Sequence, residues 1–416
     1  MNEKLKQAAL CLIFLLAFYL PATGQNDDLA YLLYQGKTEQ VINRLQPKLE
    51  AGKLAPESLL LLAQAYQKEK RYSDVLDVLK KGPETAQSLS LQAEAYSMLG
   101  NLPAAVTVYT KMLTTDPDNS EAQVDLGKLY LQLDRDLDAL YIFKDLATRD
   151  STNFLFRRLY ALSCYRTDRI TDAVDNYKWV IEKNPDDLAS LLNLVNILQQ
   201  HKFYGPAIDY IESALEHFPD NLLLKKKAGE VNFLAKNYEK AADYYQDVLP
   251  ADSSYIVKKY YGISLFFERK EELALKLLQS CYKKVQTDDM VAFYIGLCMK
   301  RKAEYKQSAH FLETAIQLAT PNYLADFYHH LADVYDRDRR FQDAIDGYKK
   351  ALEYDSTRTR VLFDMATTYE EFNNNKTIAL GYYQAYLKRM GDSDNPNVDY
   401  ALKRIRRIKE DLFMDQ

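Results

Sequence analysis

Residues 86–119 read AQSLSLQAEAYSMLGNLPAAVTVYTKMLTTDPDN, and this stretch decides the fold. Leu89, Ala93 and Tyr96 fall at steps of four and three, one face of a helix. Gly100 and Asn101 break that pattern as a turn does. Pro103 suits the first turn of a second helix, where its missing N–H costs nothing. Ala105, Val108, Tyr109, Met112 and Leu113 give that second helix its apolar stripe. Pro117 then stops it. The unit is a helix, a tight turn, a second helix and a short connection.

The unit recurs. Ala105, Ala139, Ala173, Ala207 and Ala241 are spaced by 34 residues, as are Tyr109, Phe143, Tyr177, Ile211 and Tyr245, and Pro117, Ser151, Pro185, Pro219 and Ser253. Such a period marks an architecture in which each unit buries its apolar face only against its neighbours. Helices approach closely only where side chains are small, so Ala93, Gly127 and the alanine column belong at those contacts. The aromatic column fills the wider gaps. With 33 Tyr and one Trp in the chain, tyrosine carries most of that load.

This pattern resembles the tetratricopeptide repeat family, written W-x2-L-G-x2-Y, A-x3-F, P. Residues 126–130 read Leu-Gly-Lys-Leu-Tyr, and Ala139 with Phe143 supply A-x3-F. Residues 331–335 read Leu-Ala-Asp-Val-Tyr, followed in phase by Phe341, Ala344, Tyr348 and Ala351. The tryptophan position holds Leu89, Gln123, Arg157 and Leu191 instead. The phase extends forward through 255–287, 289–322 and 325–357, then loosely over 359–391 with a one-residue insertion near Asn373. It extends backward through 56–83, where the second helix is short, to a degenerate pair at 27–52. The resemblance implies an all-α fold: a right-handed α-solenoid of antiparallel helix pairs, about ten to eleven of them over residues 25–392.

The ends differ in character. Lys4 and Lys6 precede an apolar run, Ala8 to Leu20, of 13 residues, short of the roughly 20 that span a bilayer. Pro21 ends the run, and Ala22-Thr23-Gly24 has the form of a cleavage site. Residues 1–24 are therefore expected to be a signal peptide cleaved after Gly24, which places the mature chain in a bacterial periplasm or cell envelope. Cleavage would move the net charge from −5 to −6 by removing Glu3, Lys4 and Lys6. That balance argues against nucleic acid, which calls for a basic footprint. Beyond residue 24, Cys164, Cys281 and Cys298 form no disulfide framework. Cys281 and Cys298 lie on consecutive helices and either pair or stay as small buried hydrophobes. Residues 393–416 read as an amphipathic capping helix, with Val398, Leu402, Ile405, Ile408 and Leu412 in one stripe and Lys403, Arg404, Arg406, Arg407 and Lys409 on the other face. That basic face is also suited to an anionic surface.

Catalytic constellations are missing from the pattern. His201, His217, His310, His329 and His330 form no H-E-x-x-H pair, and there is no nucleophile elbow and no phosphate loop. His329 and His330 point about 100° apart on a helix and cannot share one metal. Neither an enzyme nor a cofactor is expected.

The family resemblance places first helices along a concave groove where protein or peptide partners lie. Carried to this chain, it selects Arg158, Tyr165, Arg166, Asn193, Asn196, Gln200, Lys226, Glu230 and Phe233, then Lys259, Phe266, Phe267, Phe293, Lys300 and Arg301. Further on come Asp326, Asp333, Asp336, Glu370 and Glu371. The middle of the groove is thus expected to be basic and aromatic, suited to an acidic peptide, with Asn193 and Asn196 on its backbone. The family's carboxylate clamp is not expected, because Leu192 and Lys227 stand where it needs lysine and asparagine. The resulting reading is an exported scaffold, an adaptor or assembly factor. The alternative is a structural subunit that assembles through its convex face and ends.

Overall fold

A computed structural model describes residues 24–373, 376–391 and 394–414. The expected leader and the insertion near Asn373 lie outside or at the edge of these residues. Among them the chain forms twenty-three helices, and it divides into two compact units between Ile197 and Leu198.

The first unit holds α1 (Gly24–Tyr34), α2 (Thr38–Glu50), α3 (Pro56–Lys68), α4 (Tyr72–Leu79), α5 (Ala86–Met98), α6 (Leu102–Thr115), α7 (Ser120–Gln132), α8 (Asp136–Arg149), α9 (Phe154–Arg166) and α10 (Ile170–Lys183). The border falls within α11 (Leu188–Gln200). The second unit continues with α12 (Tyr204–His217), α13 (Leu222–Leu234), α14 (Tyr238–Val248), α15 (Tyr255–Phe267), α16 (Glu271–Tyr282), α17 (Asp289–Arg301) and α18 (Tyr305–Leu318). It ends with α19 (Pro321–Arg337), α20 (Phe341–Tyr354), α21 (Thr359–Asn373), α22 (Lys376–Met390) and α23 (Pro396–Met414). Odd numbers are first helices of a pair and even numbers second helices. The fold is an all-α solenoid of antiparallel helix pairs.

The column residues are the core. Ala105, Ala139, Ala173, Ala207 and Ala241 are fully buried, and Phe143, Tyr177, Ile211 and Tyr245 nearly so. In several pairs the large residue faces a glycine sixteen positions earlier on the first helix, whereas Ile211 follows Val195. A Cβ added to Gly127 would lie 2.4 Å from the Phe143 ring, one at Gly262 2.9 Å from Leu278, and one at Gly296 2.8 Å from Leu312. Burying each such ring or branched side chain contributes about 1.5–3 kcal/mol.

The turns inside the pairs share one geometry. Gly36 and Gly100 have positive φ, and the same place in later pairs is filled by Lys70, Asp134, Asp168, Lys202, Lys236, Arg269, Ala303 and Arg339, at φ between 55° and 65°. In each, the next residue's N–H reaches back five residues, as in Arg135 to the Tyr130 carbonyl at 2.8 Å. These are Schellman closures, which satisfy carbonyls at the helix end. A non-glycine residue in this conformation costs about 1 kcal/mol. In three pairs a stacked cation offsets that strain. Arg71, Arg135 and Arg340 lie over the rings of Tyr66, Tyr130 and Tyr335 at 4.5, 4.2 and 4.1 Å. Each also bonds the aspartate three residues on, Asp74, Asp138 or Asp343. The turn is thereby held from both sides.

Two expectations change at the ends. On α23, Val398, Ala401 and Ile408 are buried while Leu402 is 42% exposed. The buried stripe therefore runs through Ala401, because a small side chain lets α23 settle closely against its neighbour. Arg404 is drawn from the basic face into an ion pair with Glu370, whereas Lys403, Arg406, Arg407 and Lys409 stay exposed. Cys164, Cys281 and Cys298 are free and buried, so Cys281 and Cys298 act as apolar filling rather than as a bridge.

The packing rule yields a test. Gly127→Val should lower the stability of the first unit by about 1–3 kcal/mol, because the Phe143 ring has no room to retreat. Gly381→Ala, where nothing lies within 4 Å of the new Cβ, should raise stability by up to about 1 kcal/mol. Urea titration followed by circular dichroism reads both, and a neutral Gly127→Val would contradict the close approach.

Candidate functional site

In the second unit, successive first helices from α13 to α21 touch one another, which sets them on the inner side of the local curve. The second helices lie on the outer side. The candidate residues of α13, α15 and α17 therefore lie on helices of this inner side. Arg158, Tyr165, Arg166, Asn193 and Asn196 lie on the first helices α9 and α11 of the first unit.

Every cation selected from the sequence is matched by a carboxylate of the chain itself. Arg158 pairs with Asp187 at 3.3 Å, and Arg166 with Asp134 and Asp136 at 2.7 Å each. Lys226 pairs with Asp252 at 2.7 Å and Lys259 with Asp288 at 2.5 Å. Lys300 pairs with Asp333, and Arg301 with Glu271 at 3.0 Å. The expected net-basic trough is therefore corrected to a neutralised one.

The partners explain why. Asp187 also accepts the Ser190 N–H at 3.1 Å, Asp252 the Ser254 N–H at 2.9 Å and Asp288 the Val291 N–H at 3.0 Å. All three sit at the N-terminus of the following first helix, where a carboxylate is favoured by the free N–H groups and the helix dipole. A cation on one first helix thus fastens the start of the next. The Lys259–Asp288 pair is the most enclosed of these, with side chains 17% and 14% exposed. Burial alone would raise the Asp288 pKa, yet Lys259, the Tyr255 hydroxyl and the Val291 N–H together hold it below the usual carboxylate range.

The amides divide. The Asn193 side-chain N–H donates to the Tyr177 hydroxyl at 3.2 Å, so it serves packing rather than a ligand's backbone. Asn196 is exposed, as is Gln200 at the other side of the unit border. Gln199, outside the original selection, joins Lys227 and Glu230 in a bonded group.

The aromatics divide as well. Phe266 and Phe293 are 5% and 6% exposed and are corrected to core residues. Phe293 stacks on Phe327 at 4.3 Å, and the Arg301 guanidinium covers Phe266 at 3.7 Å. Phe267 is 40% exposed and stacks on Tyr238 at 3.8 Å, with 5° between the rings. Tyr294 meets Phe267 edge-on at 5.8 Å. Phe233 bridges Tyr238 and Tyr260 at 5.6 and 4.6 Å. These half-buried rings make one continuous aromatic group on the inner face. The sequence reading missed Tyr238, Tyr260 and Tyr294, because Tyr238 opens a second helix and the others sit beside column positions. The Tyr260-Tyr261 and Phe293-Tyr294 doublets carried the signal: on a helix, of two adjacent rings only one can face the core.

The acidic end is likewise engaged. Asp326 pairs with Arg358 at 2.6 Å, and Asp333 with Lys300 and Arg337. Asp336 accepts the Thr368 hydroxyl at 2.9 Å, and burial, aided by Glu371, Asp333 and Asp364, pushes its pKa up to about 6. Glu370 receives Arg404 and the Tyr383 hydroxyl, and Glu371 is exposed. His329 bonds Asp364 at 2.9 Å while His330 lies against Lys300. Among the described residues no His, Cys, Asp and Glu gather into a group that could hold a metal.

If the cations fasten repeats, removing one should cost stability. Lys259→Met should destabilise the second unit by about 2 kcal/mol by leaving Asp288 enclosed and unpaired. Adding Asp288→Asn should return part of that loss. A urea-denaturation double-mutant cycle with no coupling would remove the staple from the account.

Models of the tetratricopeptide repeat match residues 91–154, 192–256 and 325–358. The chain is 23% identical over 312 residues to the BBSome complex member BBS4 of Bos taurus, over 74% of this chain and 59% of that one. It is 21% identical over 326 residues to a TPR repeat-containing protein of Methanocaldococcus jannaschii, over 73% of this chain and 57% of that one. The chain thus spans less than two thirds of the length of these curated relatives. Among solved structures, it aligns with the APC/C hetero-tetramer Cut9-Hcn1 at a TM-score of 0.47 and 14% identity, covering 91% of this chain and 88% of that chain. Its 34-residue phase and stacked helix hairpins run through three matched segments spread along it, and these segments are tetratricopeptide repeats.

Proposed function

We propose that this protein is an exported, non-enzymatic scaffold that holds a protein or peptide segment against its first-helix face, as an adaptor or assembly factor of a bacterial cell envelope. The observation that carries the binding reading is the aromatic group of Phe233, Tyr238, Tyr260, Phe267 and Tyr294. Phe267 is 40% exposed and the other four rings keep part of their surface open to solvent. Rigid aromatics contribute large contact area at low entropic cost, and they are enriched where partners bind. The paired cations tie successive first helices of this unit together, and Gln200 adds an exposed amide.

An acidic partner is the finer part of the proposal. It applies best at Lys226, whose pair with Asp252 is the more open one, with side chains 40% and 34% exposed. Open pairs of this kind contribute only about 0.2–1 kcal/mol, so an incoming carboxylate can replace the internal one. The export reading rests on the charged start, the short apolar run and the small residues before Gln25.

A photoreactive phenylalanine analogue at position 267 should crosslink a discrete partner in intact cells. The same analogue at Tyr141, 70% exposed on a second helix of the first unit, should not. Crosslinks from 141 alone would sink the first-helix reading. A reporter fused to residues 1–30 should leave the cytoplasm; its retention would discard the export.

A further inference from the structure

The cations of the inner face are all matched, but those of an outer cleft are not. An open cleft of about 870 Å³ lies in the second unit along α16 and the start of α18. Lys276, Lys283 and Lys284 line it and are exposed, and their ammonium groups form no ion pair or hydrogen bond with any described residue. A fourth lysine, Lys302, is held by Glu272 at 2.8 Å and Glu304 at 3.4 Å, which also line the cleft. Four lysines thus face two glutamates there, a local positive excess in a chain of net charge −5. Leu275 and Met299 provide an apolar floor, and Leu273, 53% exposed, an apolar rim.

We propose that this cleft is a second docking site, which receives an acidic amphipathic helix of a partner protein. The charge excess selects carboxylates. Lys276 on α16 and Lys283, the residue that closes its C-terminus in helical conformation, stand two turns apart on one stripe, about 10 Å along the axis. A helical ligand with acidic residues seven positions apart presents the same spacing, and a leucine between them reaches the Leu275–Met299 floor. This is a helix laid in a groove, read by periodic anchors. The unmatched lysines separate this site from the inner face, where a ligand carboxylate must displace one already present. The proposal is independent of what binds the first-helix face.

The probe is a fluorescein-labelled peptide of fourteen residues, with glutamate at seven-residue intervals and leucine between, titrated with the full chain by anisotropy. Wild type should bind it, more weakly at 300 mM than at 50 mM salt. Lys276→Glu/Lys283→Glu/Lys284→Glu should weaken binding about ten-fold or more, with an unchanged melting curve. Phe267→Ala should bind as wild type does. Carbodiimide coupling of the probe to unmodified protein should map to Lys276, Lys283 or Lys284, which tests the site without any substitution. The proposal is overturned if coupling maps elsewhere, if a probe with lysine in place of glutamate binds as well, or if the triple variant binds unchanged. It is equally overturned if vesicles of anionic lipid bind through these lysines while the peptide does not.

Discussion

The structure depends on the close approach of two helices at one point in most of the repeats. A residue with little or no side chain on the first helix admits the ring or branched chain sixteen positions later on the second. Gly127 and Phe143, Gly229 and Tyr245, Gly262 and Leu278, and Gly296 and Leu312 are instances. The contact fixes the spacing within a pair, and the alanine column allows the next pair to come equally near. Bulk on the first helix would prop the hairpin open and expose the column that gives each repeat its stability.

Polar chemistry is subordinate to that packing. Tyrosine in the column brings a hydroxyl that must be satisfied once buried. Tyr109 donates to Asp125 and Tyr177 receives the Asn193 amide, in each case from the following first helix. The same economy governs charge. Arg158 and Lys259 reach forward to carboxylates that already bond the first turn of the next first helix, and Lys226 to Asp252 just ahead of one. One aspartate thus ends a helix, holds a cation and ties two repeats. A face rich in lysine and arginine by sequence is for this reason nearly neutral in space.

The functional surface is what these duties leave over. On the inner face that is a group of aromatic rings with Phe267 at its most open point. On the outer face it is a lysine-lined cleft in which the Lys276, Lys283 and Lys284 ammonium groups have no internal task. The His329-His330 pair, the cysteines and the raised Asp336 are absorbed by packing and local bonding, so none of them assembles chemistry.

The sequence by itself determined the repeat. Three columns at a fixed step specify a helix hairpin, its small and large positions and its stacking, since each reports a local steric need that any neighbour with the same pattern meets. Gly100 marked the turn, yet eight charged, polar or alanine residues adopt the same left-handed conformation elsewhere, held there by the Schellman bonds and in three cases by an arginine over a tyrosine. Tertiary structure alone decided which candidate residues are free. Phe266 and Phe267 are neighbours in sequence, but only Phe267 reaches solvent. Lys226 and Lys276 are the same residue type on the same scaffold, but only Lys276 lacks a carboxylate. Burial and pairing depend on residues from another repeat, some 26 to 33 positions away in the case of these pairs, and composition along one helix carries no record of that distance.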